Sequence, residues 1–159
     1  MSNRRIILSG AYNVRDLGGY DVANRNTVRW RSLIRSDGTH ALTPDDINTL
    51  LDYGLKSVID LRTKEEADEL PSVFFSLIPV RCQVVSMLPD GFFEMWKGGR
   101  SMADWYNFCL AQAKSGIRNV LEAVHRELTE GSYTAAWAKI GPESFRHWFS
   151  ACLAYATRM

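Results

Sequence analysis

The sequence predicts an α/β fold, a parallel-rich sheet flanked by helices, on three observations. A capped helical pattern from Thr43 runs through Gly54 into a stretch that reads as a buried strand, Leu55-Lys-Ser-Val-Ile-Asp-Leu61, and then into a second, acidic helix. This helix–glycine–strand–helix order is the unit from which parallel sheets are built. A further apolar stretch, Leu77–Val85, and two amphipathic helical patterns, over Ser101–Lys114 and Ile117–Leu128, supply another strand and the covering layer.

In chain order, Ile6–Leu8 is a short apolar opening. Tyr12–Tyr20 follows, and its Gly18-Gly19 pair marks a tight turn. Thr27–Arg35 contains an alternating stretch and reads as a strand or hairpin arm, ended by Ser36-Asp37-Gly38. In the first helix Thr43 suits the N-cap and Pro44 the first turn. Asp45 and Asp46 favour its positive end, and Ile47, Leu50 and Leu51 form a buried stripe. Gly54 is the C-terminal cap. The strand Leu55–Leu61 leads into Asp60-Leu61-Arg62, and the acidic helix from Thr63 to about Leu70 is stopped by Pro71.

Cys82 lies inside the Leu77–Val85 strand as a core thiol. Pro89–Arg100 is loop-like; its Phe92, Phe93 and Trp96 either form a lid or pack on the core, and packing is the simpler expectation. Ser101 caps the next helix, with Met102, Trp105, Tyr106, Cys109 and Leu110 on one side. Gly116 breaks the pattern. Val120, Leu121, Val124 and Leu128 then resume it, with His125 near the negative end of the helix. Gly131 ends this helix. By alternation, a strand and then a loop and helix come next.

The chain has 159 residues, enough for one domain with a core, at 46% hydrophobic and 23% charged content. A net charge of +1 points to neither nucleic acid nor a membrane surface. Within Met1–Arg35, however, seven Arg stand against two acids, Asp16 and Asp21. Such a segment is either a solvated face or the lining of an anion site. Cys82, Cys109 and Cys152 are scattered and form no Cys-x-x-Cys pair, which argues against a disulfide framework or zinc site and for a reducing compartment. There is no apolar run of signal-peptide or membrane-span length, and the expected location is cytoplasmic. Asp60 and Arg62 stand just beyond a strand's carboxyl end, where α/β sheets gather functional groups; the alternative is a local salt bridge.

Asn13-Val-Arg-Asp-Leu-Gly-Gly-Tyr20, Arg35-Ser-Asp37, Leu42-Thr-Pro-Asp-Asp46 and Val58-Ile-Asp-Leu-Arg62 occur in this order. Together they resemble the bacterial and fungal tyrosine phosphatases of the secreted mycobacterial phosphatase B and LipA type, over about Tyr12–Gly131. The resemblance implies hydrolysis of a phosphotyrosine protein or other phosphoester, without metal or cofactor. Its chemistry needs His-Cys-x5-Arg-Thr-Gly between a strand and a helix. A Cys thiolate attacks phosphorus, backbone N–H groups and the Arg hold the phosphate oxygens, and an Asp protonates the leaving oxygen. On this resemblance Asp60 is an acid or positioning group, and Arg62, Arg15 and Arg35 are substrate-binding residues. Secretion is known among the relatives, so a location outside the cytoplasm stays open.

The required loop is not present after Gly131. Cys152-Leu-Ala-Tyr-Ala-Thr-Arg158 matches Cys-x5-Arg in form only: it has no Gly, Ala151 precedes it where His is needed, and no room for a following helix is left. The genetic code suggests why. Codons offset by one base across Ser132–Glu143 can spell Leu-His-Cys-Ser-Val-Gly-Lys-Asp-Arg-Thr-Gly, with Gly forced across Trp137/Ala138. Farther on, Leu is forced across His147/Trp148 and Val across Trp148/Phe149. The expectation is a frameshift near Leu128–Tyr133. Residues 1–131 would then be the N-terminal part of a phosphatase-like domain, and 132–159 an out-of-frame tail that leaves the fold incomplete at its C-terminus. Two functions follow: a phosphatase lineage inactive in this chain, or a non-catalytic phosphate-binding or interaction protein that keeps the arginines.

Overall fold

Ser57-Val-Ile-Asp60 is buried at every position, so its sheet must be covered on both faces. The structure, a computed structural model, describes residues 4–22, 26–95, 101–129 and 134–137. Its strands are β1 (Arg5–Ile6), β2 (Val14–Asp16), β3 (Asp21–Val22), β4 (Asn26–Thr27), β5 (Leu33–Ser36), β6 (Ser57–Asp60), β7 (Arg81–Val84) and β8 (Thr134–Trp137). The helices are α1 (Pro44–Tyr53), α2 (Lys64–Glu69), α3 (Phe92–Met95), α4 (Met102–Gln112) and α5 (Lys114–Thr129). Six strands form the main sheet in the order β1-β2-β5-β8-β6-β7, and β3 pairs with β4 in a separate ribbon. β5, β8, β6 and β7 are parallel, whereas β1, β2 and β5 pair antiparallel. The α/β class holds, with the sheet mixed rather than parallel throughout.

Alternation along the strands divides the core. Val14, Ile34 and Val58 face α1, where they meet Leu50, Leu55 and Phe74. Leu33 and Ile59 face the other way, against Cys109, Val120, Val124 and Phe92. Full burial of an aliphatic or aromatic side chain of this kind stabilises by about 1.5–3 kcal/mol. Phe92 lies edge-on to Trp105 at 5.4 Å and beside Phe108 at 5.1 Å, so this member of the 89–100 stretch packs on the core. The placement of Trp96 lies outside the described residues.

Three boundaries differ from the sequence expectation, each for a physical reason. The Thr27–Arg35 stretch is two strands, β4 and β5, separated by a turn in which Arg31 has φ 57°. The Asp16 carboxylate accepts the Arg31 N–H at 2.8 Å and holds that turn. The Leu77–Val85 strand begins only at Arg81, because Pro79 has no N–H for a ladder and Ile78 points to solvent. A 3-10 turn, Val73–Ser76, precedes it. α5 does not start after Gly116 but runs through it. A Cβ there would lie 2.2 Å from the Met87 carbonyl oxygen, so glycine permits the close approach of helix and loop. The strand expected after α5 forms as β8, at the centre of the sheet.

α1 is capped as its sequence foretells. Thr43 accepts the Asp46 N–H, and Asp46 accepts the Thr43 N–H at 3.0 Å. Asp46 also accepts the N–H groups of Ser9 at 2.7 Å and Gly10 at 2.8 Å, tying the N-terminal segment to the helix. Burial alone would raise the Asp46 pKa, but the backbone donors Ser9, Thr43 and Gly10 outweigh it and hold the carboxyl at about 2.

Two stability predictions follow. The folded pKa of Asp46 lies below its ordinary 3.8, so its contribution is full above about pH 4 and is lost as pH falls through about 2. Asp46→Asn is expected to cost about 1–2 kcal/mol in urea denaturation at pH 7, and the gap to the parent to narrow between pH 4 and 2. Gly116→Ala gains about 1 kcal/mol of helix propensity but meets the Met87 backbone; a net loss of about 1–3 kcal/mol is expected by the same measurement.

Candidate functional site

Ser36, Trp137, Asp60 and Val84 form one row across β5, β8, β6 and β7, and each ends its strand. The crevice beyond such carboxyl ends is where α/β sheets bind ligands. The row's neighbours are held by backbone hydrogen bonds. Asp37 accepts the N–H groups of Tyr12 and Asn13, each at 3.1 Å, and so places the start of β2 beside the end of β5.

Asp60 and Arg62 meet as an ion pair in which both side chains are about 3% exposed. Arg62 Nε donates to Asp60 Oδ1 at 2.9 Å and to Oδ2 at 3.1 Å, and Nη2 donates to Oδ2 at 2.6 Å. The Arg62 backbone N–H adds a bond to Oδ1 at 3.1 Å. The remaining nitrogen, Nη1, donates to the carbonyls of Leu70 at 2.8 Å and Glu66 at 3.3 Å, satisfying the end of α2. Hydrogen bonding to Asp60 raises the Arg62 pKa despite burial, so the guanidinium is charged throughout. Its donors all point into the fold or at Asp60.

Arg15 and Arg35 are directly opposed on β2 and β5. Ile34 shares the core on the α1 side with Val58, so alternation turns Arg35 to the face that Leu33 and Ile59 share. Asp60, two positions after Val58, lies toward the α1 face. The four residues singled out from the sequence therefore form two pairs, Asp60 with Arg62 and Arg15 with Arg35. These lie on opposite faces of the sheet with β8 between them, a separation of roughly 10 Å measured strand to strand.

The nucleophile is the other requirement of cysteine chemistry. Cys82 pairs with Val58 and lies near Asp60 and Arg62; burial pushes its thiol up to about 11. Cys109 is buried in the opposite layer, and burial raises it likewise to about 11. Neither is a thiolate near neutral pH. Among the described residues no three His, Cys, Asp or Glu side chains are placed to hold a metal ion. No helix there is long and apolar enough to cross a membrane.

Thr134 and Ala135, in the place where the resemblance puts the nucleophile, are positions of β8 paired with Leu33 and Ile34 on one side and Ser57 and Val58 on the other. They stand three and two residues short of the crevice row, respectively. Residues 138–159, including Cys152 and Arg158, lie outside the described residues. Sequence reasoning missed the anchoring roles of Asp16 and Asp37. The signal was present, since both stand in the motifs that carried the resemblance, but it pointed to chemistry instead of backbone acceptance.

A family model described as the tyrosine phosphatase family matches residues 6–134. No curated protein matches the chain.

Arg62→Gln leaves the Asp60 charge buried without its partner. A loss of about 3–5 kcal/mol is expected in chemical denaturation. Arg62→Lys is expected to recover only part of it, because an ammonium cannot reproduce the forked contacts to carboxylate and carbonyls.

Proposed function

The chain belongs to the tyrosine phosphatase family, and from that premise we propose that it carries the scaffold of a phosphoester hydrolase of the mycobacterial phosphatase B and LipA type without the nucleophile. In the reaction of that scaffold a Cys thiolate attacks phosphorus and the bond to the leaving oxygen breaks. An acid supplies the proton to that oxygen, and water then cleaves the phosphocysteine. Phosphotyrosine protein is the substrate class, with other phosphoesters as the wider group.

The observation that carries the reading is Thr134-Ala-Ala-Trp137 in the central strand, where the chemistry calls for a strand leading into a Cys-bearing loop. The match to the family ends at residue 134, within a few residues of where the offset codons begin to spell that loop. We infer a frameshift near Leu128–Tyr133, with residues 1–131 in frame and 132–159 out of it. In a restored chain the strand would form from the residues before His-Cys, so that the Cys would emerge at the crevice row.

In this reading Asp60 is a positioning group at the mouth of the site, Arg62 acts through it, and Arg15 and Arg35 receive anionic substrate. A second reading, a phosphate-binding protein without turnover, draws on the same arginines and on the unreactive Cys82 and Cys109.

Purified 159-residue protein assayed with para-nitrophenyl phosphate is expected to give no cysteine-dependent turnover. Hydrolysis at ordinary rates, roughly 1 per second or faster, would refute this. The coding DNA tests the frame directly: codons that cannot spell the loop when offset by one base end that inference. A frame-restored protein is expected to turn over substrate and to lose this when the cysteine encoded across Thr134 and Ala135 is replaced by serine. Phosphopeptide binding by the 159-residue protein, with no activity after restoration, would select the second reading.

A further inference from the structure

The main sheet has two edges, and they differ. β1 is two residues long, one of them Arg5. Short edges with charged side chains deter further pairing. β7, Arg81-Cys-Gln-Val84, is longer, has no proline and holds one charge, Arg81. That charge is turned to the α5 side, where Arg81 Nη2 donates to Glu127 Oε2 at 2.8 Å. Gln83 lies on the same side and donates to Glu127 Oε1 at 3.4 Å.

The parallel ladder fixes which backbone groups of β7 are taken. The Arg81 N–H donates to the Lys56 carbonyl at 3.0 Å, and the Val85 N–H to the Asp60 carbonyl at 2.8 Å. Residues 81, 83 and 85 therefore aim their N–H and C=O groups at β6, while Cys82 and Val84 aim theirs away from the sheet. Among the described residues no strand lies beyond them. Val84 is exposed and Cys82 half-buried. Two outward residues of this kind are a template for one more strand.

The surface beside this edge is apolar. The 3-10 turn Val73–Ser76 packs against β7, and its Phe75 is 43% exposed. Ile78, just before β7, is 93% exposed. With Leu70 and Val84 they make four of the nine exposed large hydrophobic side chains among the described residues, all within 70–84. Single exposed side chains need no account, but a cluster along an unpaired edge marks an interaction surface.

What can pair there follows from the residues themselves. An antiparallel partner must set its own outward residues opposite Cys82 and Val84. β7 meets this requirement with itself. In a two-fold pair centred on Gln83, Cys82 of each copy exchanges both N–H···O bonds with Val84 of the other, and the two uncharged Gln83 side chains face one another. Arg81 falls opposite Val85 of the other copy, and the two Arg81 residues stand roughly 14 Å apart along the strands, beyond the screening length in physiological salt. The register sets uncharged residues opposite one another and keeps like charges apart.

We propose that β7 is a dimer edge, at which two copies of this chain join antiparallel through Cys82 and Val84, with the exposed Phe75 and Ile78 beside the seam. The two-fold closes on itself, so the product is a dimer and not a filament. The inference is independent of turnover.

Sedimentation of the 159-residue protein from about 5 to 200 μM is expected to show a reversible dimer with Kd on the order of 10–100 μM, as suits a strand pair with a small apolar border. Hydrogen exchange at the Cys82 and Val84 amides is expected to slow as concentration rises, and the Gln83 amide, already bonded to β6, to change less. Val84→Pro removes an outward N–H and no bond to β6, so it is expected to weaken the dimer at least about tenfold with little change in the Tm of the monomer. Val84→Lys, which sets a charge on the edge, is expected to act in the same direction, and it carries the test if the proline variant does not fold. A protein that stays monomeric throughout that range would overturn the proposal. So would a dimer that persists in Val84→Lys, or one whose formation leaves exchange at Cys82 and Val84 unchanged, since either puts the contact elsewhere. A dimer abolished by reductant would be a disulfide, and open-ended aggregation would not be a two-fold; each overturns it too.

Discussion

Backbone N–H groups outside helices and sheets need acceptors, and in this protein carboxylates supply them at the points where the chain changes direction. Asp16, fully buried, accepts from the N–H groups of Gly18 and Arg31 and from the Tyr53 hydroxyl. Asp37 accepts from Tyr12 and Asn13, Asp46 from Ser9, Gly10 and Thr43, and Asp60 from Arg62. The strained Arg31 backbone, at φ 57°, and the Tyr53 phenol, raised to about 12 by burial and the Asp16 carboxylate, are consequences of one such anchor.

These four carboxylates belong, one each, to the four motifs that carry the family resemblance. This explains what was legible in the sequence. α1 was readable to its caps because Thr43, Pro44, Asp46 and Gly54 act within one turn of where they stand. β6 was readable because the adjacent apolar residues Val58 and Ile59 lie between a helix-ending Gly54 and the start of a second helix. Asp60 and Arg62 were visible as a pair from their spacing, and they meet in a salt bridge, with Arg62 also bonded to the carbonyls that end α2. The motifs signalled a family and a place, the carboxyl ends of the strands, but not the role of each side chain.

What was hidden depends on partners distant in sequence. The passage of α5 through Gly116 is set by the Met87 carbonyl, and nothing in the local pattern announces it. The break between β4 and β5 is set by Asp16, 15 residues before Arg31. The division of Asp60 and Arg62 from Arg15 and Arg35 is set by strand register, where a shift of one residue exchanges the faces. From the sequence the four were one list; the sheet divides them into two pairs.

Strand order also separates folding from chemistry. β1, β2 and β5 form one paired group and β6 and β7 another, and β8, last in sequence among the described strands, joins them by pairing with both β5 and β6. Its two neighbours present waiting rows of backbone donors and acceptors, and these are satisfied by any chain in extended conformation. Thr134-Ala-Ala-Trp137 fills the position although alanine has little strand preference, because the backbone of the two edges, not the side chains of the insert, supplies the ladder. On the proposed frameshift, the sheet closes on these residues although they lack the cysteine, the glycines and the arginine that a phosphate loop requires. The scaffold and the reaction place separate demands on the same segment, and only the first is met by the backbone alone.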